Sequence, residues 1–310
     1  MKFILATAVR NEGPYLLEWI AHHKLLGFDR IIIYSNDNDD GSDALLAALR
    51  DEGLIDWRPR VLKPGQKPQL SAFNGLSREL LADKEQHGNY LAWFDCDEFL
   101  ILRKHQTVQE LLSYYSFPDA LYVNWKHFGS SGINRYSPDL TVDRFLQCSS
   151  TFVFNTRFKS ISKVDPTLFK NLLHHRPSPK NEELPVRIIY AASKPEGQVP
   201  PRDITHRSLR GHINKAPFFH EVCHLNHYAI RSKEEYQWKI SRGNGWKAND
   251  DKSKHFNTGY FAIRDNNDEQ DRFASEKYSE SIKNYLASLP ENIRILGKQI
   301  IDSKISMRQS

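Results

Sequence analysis

A short apolar run that stops abruptly on carboxylates constrains this chain more than any other feature. Tyr90-Leu91-Ala92-Trp93-Phe94 reads as a strand buried on both faces, and Asp95-Cys96-Asp97-Glu98 follows at once. Residues two apart in an extended segment point the same way, so Asp95 and Asp97 are expected to aim both carboxylates at one point. Converging carboxylates repel, and a hard divalent cation with oxygen ligands relieves them. Mg²⁺ or Mn²⁺ held this way completes its shell with water and substrate phosphates. A metal-diphosphate site at the carboxyl end of a central strand is expected. A D-x-D triplet alone is weak, because such triplets are common on solvated turns. Here the apolar Phe99-Leu100-Ile101-Leu102 follows, which suits a solvated turn poorly.

Upstream, the pattern alternates. Residues 2–9, 30–34, 55–62 and 90–94 read as strands; residues 15–26, 42–52 and 69–83 read as helices, with Leu16, Trp19, Ile20 and His23 on one face of the first. Alternation of this kind argues for a parallel sheet with crossover helices. The expected class is therefore α/β. Beyond residue 105 the pattern loosens, with a helix at 108–114, a strand at 120–125, a Gly/Ser loop at 129–132 and a Pro-rich excursion at 177–201. A late helix at 278–286 precedes an amphipathic tail, expected to pack on the domain rather than touch a membrane. Ligands in open α/β sheets bind at the carboxyl ends of the strands. Arg10-Asn11-Glu12, residues 36–40 and residues 95–98 all fall there.

The bulk properties exclude more than they suggest. A chain of 310 residues with net charge +5 is poor material for a nucleic-acid binder, and it carries no zinc-finger spacing. Cys96, Cys148 and Cys223 form no C-x-x-C pair and read as packing residues in a reducing compartment. The apolar start at residues 3–9 runs into Arg10 and reads as a strand rather than a signal peptide. No stretch approaches the roughly 18 apolar residues of a membrane span. The expected location is the cytoplasm, with peripheral contact at the inner membrane surface as an option; oligomeric state is not legible.

Several ordered motifs extend the picture. N-E-G-P-Y-L-L-E-W-I-A-H-H-K-L-L-G begins at Asn11, and Y-S-N-D-N-D-D-G-S begins at Tyr34. Q-L-S-A-F-N at Gln69, D-C-D-E-F at Asp95 and N-W-K-H-F-G-S-S-G at Asn124 follow. F-K-S-I at Phe158, L-N-H-Y at Leu225, R-S-K-E-E-Y at Arg231 and R-G at Arg242 complete the series. Together they resemble bacterial glycosyltransferases of the family 2 type, close to the family 92 galactosyltransferases, over about residues 3–245. The resemblance implies a GT-A fold with a central, mostly parallel mixed sheet flanked by helices: a donor-binding half (1–105), an acceptor-binding half (106–250) sharing the sheet, and a C-terminal helical extension (251–310). It implies a metal-dependent, inverting transfer of a sugar, galactose favoured, from a UDP-sugar to a hydroxyl of a surface glycan or lipopolysaccharide. The alternatives are a non-catalytic GT-A-like nucleotide- or glycan-binding protein, and a nucleotidyltransferase using the same carboxylates.

The resemblance also distributes roles. Asp95, Asp97 and His227 are expected to hold Mn²⁺ or Mg²⁺. Thr7, Arg10, Asn11, Glu12, Asn36, Asp37, Asp40, Gln69, Asn74 and Lys159 are expected on the donor side, although Ser35 stands where relatives often carry an acid. Trp125, His127, Phe128 and Ser130 are expected on the acceptor side. The base that takes the acceptor proton is not singled out: Asp139, Asp143, Asp165, Glu221 and His127 are all candidates, and Glu98 reads as a supporting acid.

Overall fold

The computed structural model describes residues 1–181, 183, 185–191, 220–243 and 257–306. The first stretch alternates as β1 (Phe3–Val9), α1 (Gly13–Leu25), β2 (Arg30–Ser35), α2 (Ser42–Asp51), β3 (Asp56–Pro59), α3 (Pro68–Ala82) and β4 (Tyr90–Trp93). It continues with β5 (Glu98–Leu102), α4 (Val108–Tyr114), β6 (Ala120–His127), α5 (Thr141–Arg144), β7 (Gln147–Cys148) and α6 (Phe152–Asn155). Then come β8 (Phe158–Lys163), β9 (Phe169–Leu172), β10 (Pro177–Pro179), β11 (Ile188–Tyr190) and β12 (Cys223–His227). The chain closes with α7 (Lys233–Arg242), α8 (Thr258–Arg264), β13 (Glu269–Gln270), α9 (Phe273–Ser288) and α10 (Glu291–Ser306). Part of the Pro-rich excursion expected at 177–201 lies outside the described residues.

The central strands are apolar at nearly every position because both faces are covered. Along β2, Ile31 and Ile33 join one core cluster while Ile32 and Tyr34 join the other. Along β4, Tyr90 and Ala92 face the first cluster, Leu91 and Trp93 the second. Helix α3 supplies Ala72, Phe73, Leu76 and Leu80 to the second layer. On the first layer lie α1, α2, α4, α9 and α10, with Trp19, Leu45, Leu111, Ile282 and Ile300 buried. The amphipathic tail thus packs on the domain, as its Ile spacing implies. Among the described residues no helix is long and apolar enough to cross a membrane.

The sheet runs β3-β2-β1-β4-β8-β6-β12-β5, with β11 also against β6. β3, β2, β1 and β4 are mutually parallel, β8 is antiparallel to both β4 and β6, β12 is parallel to β6, and β5 is antiparallel to β12. This is the mixed, mostly parallel sheet flanked by helices that the resemblance implies, and its parallel part, β3-β2-β1-β4, is what the alternation predicts. The directions have a consequence for the site. The carboxyl ends of β1, β2, β4, β6 and β12 share one edge with the amino ends of β8 and β5. Val9, Asp95, Lys159, His127, His227 and Glu98 therefore come to the same end of the sheet. β6 pairs β8 and β11 through its first half and β12 through its second. Four steps of about 4.8 Å separate β4 from β5 in a flat sheet. The short link at 94–97 could not bridge that gap with its tight turn in a flat sheet, so the sheet is curved between β4 and β5.

Candidate functional site: a carboxylate crevice at the sheet edge

Residues 95–98 form a turn rather than the extended segment expected. The Glu98 N–H donates to the Asp95 carbonyl at 2.9 Å, and the Asp95 N–H donates to Glu98 Oε2 at 2.9 Å. The turn is reciprocal, with side chain and main chain of one residue closing on the other. It sends the two aspartates to different partners. Asp95 Oδ2 accepts from Lys159 Nζ at 2.8 Å and its Oδ1 from Gln69 Nε2 at 3.2 Å. Asp97 Oδ2 accepts from Lys239 Nζ at 2.6 Å, and its Oδ1 lies 3.7 Å from His227 Nε2.

The electrostatics follow from burial and partners. Burial opposes ionisation of Asp97, but Lys239, His227 and Arg231 together hold its carboxyl well below the usual range. Glu98 is fully buried; burial pushes its carboxyl up to about 8, with Lys159 pulling back and both aspartates adding to the rise. Lys159 is 1% exposed, and the carboxylates of Asp95 and Glu98 overcome the burial that would discharge it. His227 is kept neutral mainly by burial, against the pull of Asp97. A neutral imidazole beside an ionised carboxylate is ligand chemistry. Among the described residues no three His, Cys, Asp or Glu side chains converge closely enough to hold a metal by themselves. The Asp97–His227 pair fits a cation only if water and a substrate phosphate complete the shell, which is the common arrangement for Mg²⁺ and Mn²⁺.

The loops after β1 and β2 lock together beside this turn. Asn11, with φ of 52°, donates through its N–H to Asn38 Oδ1 at 2.7 Å and through Nδ2 to Asp39 Oδ1 at 2.7 Å; its Oδ1 accepts from the Asp39 N–H at 2.9 Å. Asp40 accepts from the N–H groups of Gly13 and Ser42, so it caps both helix starts at once. Glu12 is buried between Arg231, at 3.2 Å, and Arg242. The Arg242 guanidinium also donates to the Arg10 carbonyl at 2.9 Å. Thr7 is buried with an unpartnered hydroxyl, and Asn36 donates to Asp37 at 3.0 Å. Asn74 faces Asn171 of β9 at 3.2 Å rather than the carboxylates.

On the other flank, Trp125, His127 and His227 form a ring wall. The Trp125 and His227 centroids are 4.1 Å apart, and those of His127 and His227 5.7 Å. Strand pairing sets this geometry directly, because His227 sits opposite His127 on β6 and opposite Glu98 on β5. His127 Nε2 donates to the Arg264 carbonyl at 3.0 Å, and burial pushes the imidazole down to about 3. Phe128 is buried against Tyr228, with centroids 4.9 Å apart. The Gly/Ser loop is pinned: Ser130 N–H donates to Asp265 and Ser131 N–H to Asn267, each at 2.8 Å.

The remaining base candidates go elsewhere. Asp143 is taken by Ser275, Ser279 and Lys283 of α9. Asp139 accepts from the Ser137 hydroxyl at 2.8 Å, Asp165 from Thr167, and Glu221 is exposed. Three residues at the crevice carried no assigned role in the sequence: Lys239, Arg231 and Arg242. The signal was there in part. Ser232 and Glu235 form a capping box, and positions 235, 239 and 242 then share one face of α7.

The sequence model of Glycosyltransferase family 92 matches residues 9–178. A family 92 protein of Oryza sativa subsp. japonica is 30% identical over 55% of this chain and 29% of its own length. One from Ricinus communis is 28% identical over 55% of this chain and 30% of its own length. The chain thus spans less than a third of the curated relatives it matches. Among solved structures, S. aureus TarS 1-349 in complex with UDP-GlcNAc matches at 15% identity and a TM-score of 0.34, over 53% of this chain and 46% of that one. HddC from Yersinia pseudotuberculosis matches at 10% identity and a TM-score of 0.28, over 53% and 69%. The family match runs from the end of β1 through the 95–98 turn and Lys159 to β10, and on that span the chain belongs to glycosyltransferase family 92.

Proposed function

We propose that this chain transfers a sugar, galactose in the first instance, from a UDP-sugar to a hydroxyl of a glycan or glycolipid acceptor with inversion at the anomeric carbon. The observation that carries the reading is the family 92 match, which spans the 95–98 turn and Lys159, at the sheet edge where Asp97 stands beside His227. The acceptor oxygen bonds to the anomeric carbon as the bond to the diphosphate breaks, the electron pair leaves with the diphosphate, and the acceptor proton passes to a base. The loops after β1 and β2, cross-tied through Asn11 and Asp40, wall the donor side. Lys159 and Glu98 hold the 95–98 turn rigid, and Glu98, buried and engaged by Lys159 and by the Asp95 N–H, is a poor base. Lys239 supplies positive charge where the diphosphate departs. A divalent cation at Asp97 and His227, its shell completed by water and the substrate diphosphate, would supply Lewis-acid neutralisation of that leaving group.

A thermal-shift panel of nucleotide sugars with and without Mn²⁺ tests this. UDP-sugars are expected to raise the melting temperature in the presence of Mn²⁺, because a ligand that binds only the native state stabilises it. The ligand-induced rise should largely vanish in Asp97→Ala, whatever that variant's own baseline. A rise of the same size would take Asp97 out of donor binding.

A further inference from the structure

Each aspartate of the acidic turn is held by a lysine, and the two lysines are held differently. Lys159 Nζ lies 2.8 Å from Asp95 and 3.0 Å from Glu98, so it bridges two carboxylates, and its side chain is 1% exposed. Lys239 Nζ lies 2.6 Å from Asp97 Oδ2 and 2.8 Å from the Ala229 carbonyl, and its side chain is 13% exposed. Lys159 is sealed in a strand of the sheet, whereas Lys239 reaches the crevice from α7 on a flexible stem. The helix is clamped on both sides of it. Glu235 takes the Arg144 guanidinium, and Arg242 pairs with Glu12 and donates to the Arg10 carbonyl at 2.9 Å. The Lys239 ammonium can therefore change partner by side-chain rotation while α7 stays in place.

Asp97 has a second neighbour. Its Oδ1 lies 3.7 Å from His227 Nε2, which is too far for a hydrogen bond. A single Mg²⁺-sized cation, with bonds of about 2.0–2.1 Å, can touch both atoms across that span. An ammonium on Oδ2 and a divalent cation on Oδ1 would share one carboxylate. The two positive charges repel, and the lysine neutralises the negative charge on which the cation depends. A nucleoside diphosphate changes the balance, because its oxygens complete the cation's shell and give the ammonium a new anionic partner.

We propose that Lys239 is an exchangeable internal counter-ion: it holds Asp97 in the donor-free protein and passes to the diphosphate when donor and divalent cation bind together. The protein alone is then a poor cation binder, and the nucleotide makes it a good one. The identity of the diphosphate rests on the glycosyltransferase reading; the competition between Lys239 and a cation for Asp97 does not.

Mn²⁺ binding to the full chain, read as loss of the paramagnetic resonance signal of the free ion, tests this without turnover. In the parent, UDP is expected to tighten Mn²⁺ binding about tenfold or more, and Mn²⁺ to tighten UDP binding by the same factor, since linkage is reciprocal. Lys239→Met and Lys239→Gln keep the stem and remove the charge. Without UDP both should bind Mn²⁺ about tenfold more tightly than the parent, and the further gain from UDP should shrink accordingly. A gain in affinity is not what unfolding produces. Lys239→Arg, which keeps the charge, should bind Mn²⁺ as weakly as the parent, and adding Asp97→Asn to Lys239→Met should abolish the gain. Unchanged or weaker Mn²⁺ binding in both neutral variants overturns the proposal, because the lysine then supports Asp97 rather than competing for it. UDP binding to the parent that is indifferent to Mn²⁺ also overturns it and leaves the donor reading standing. Tighter Mn²⁺ binding in the neutral variants, with no UDP binding in any form of the chain, supports the competition and overturns the glycosyltransferase reading, so the two failures are distinguishable.

Discussion

Lys159 is the side chain on which the acidic turn depends. Its ammonium sits 2.8 Å from Asp95 and 3.0 Å from Glu98 with almost no access to water. The sequence marks it as a donor-side cation that meets a phosphate oxygen as a point charge. Its actual neighbours were illegible, because they lie in the turn after β4 and at the start of β5, more than 60 positions away in the chain. Lys159→Met removes the counter-charge from a buried carboxylate pair and is expected to cost about 3 kcal/mol of unfolding free energy in urea. This is the low end for a broken buried pair, because Glu98 can take up a proton. A midpoint within error of the parent would show that the turn does not rely on the lysine. The same turn shows where spacing arguments fail. Two residues apart means one direction only in extended chain, and the 95–98 hydrogen bond abolishes that condition.

At the scale of elements, α7 decides the site more than any strand does. Its start is fixed by the Ser232–Glu235 capping box, and Glu235 also takes both guanidinium nitrogens of Arg144 at 2.9 Å in a buried pair. Glu235→Ala therefore removes half the capping box and orphans a buried arginine, with an expected cost of about 3–5 kcal/mol in chemical denaturation. It should also weaken UDP-sugar binding, since Lys239 and Arg242 ride on the same helix. Retained stability with lost binding would contradict the coupling. The Gly/Ser loop makes a second case. A Cβ on Gly129 would sit 2.5 Å from the Asn266 carbonyl and 2.4 Å from Asn267 Oδ1, and the former is backbone that cannot swing away. Gly129→Ala is expected to cost about 2 kcal/mol, read from the thermal or urea midpoint, and an unaltered midpoint would mean that the 266–267 segment yields. The long helices and central strands were legible because their periodicity is local. β5, β8, β11 and β12 were not read as parts of one sheet, because each earns its place only by pairing with a distant strand.

For the whole molecule, buried neutral histidines set the acid limit. His22 donates through Nε2 to the Leu100 carbonyl at 2.8 Å, and burial, outweighing that bond, holds it down at about 4 against an ordinary 6.5. His220 is likewise lowered to about 4, and His23 and His224 are lowered well below 6.5, all chiefly by burial. Between these values the unfolded chain binds more protons than the native one. The histidine contribution is therefore fully present above about pH 6.5 and is lost as the pH drops toward 4, by up to roughly 3 kcal/mol for one such group. Urea midpoints at pH 7.5 and pH 5 check this: the drop should be smaller in His22→Gln, which keeps a donor without a titrating ring. An identical drop in both would remove His22 from the acid response.

What the residues alone determined was the layered α/β class, the crevice at the carboxyl ends of the strands and the acids at its centre, since each is written in local periodicity or in an ordered motif. The tertiary structure decided the rest. It paired β5 with β12 so that Glu98 and His227 stand opposite each other, and it set Lys159 and Lys239 on the two aspartates. Those outcomes depend on which distant strands pair and in what register, and in strands apolar on both faces the side-chain spacing does not say which partner each will take.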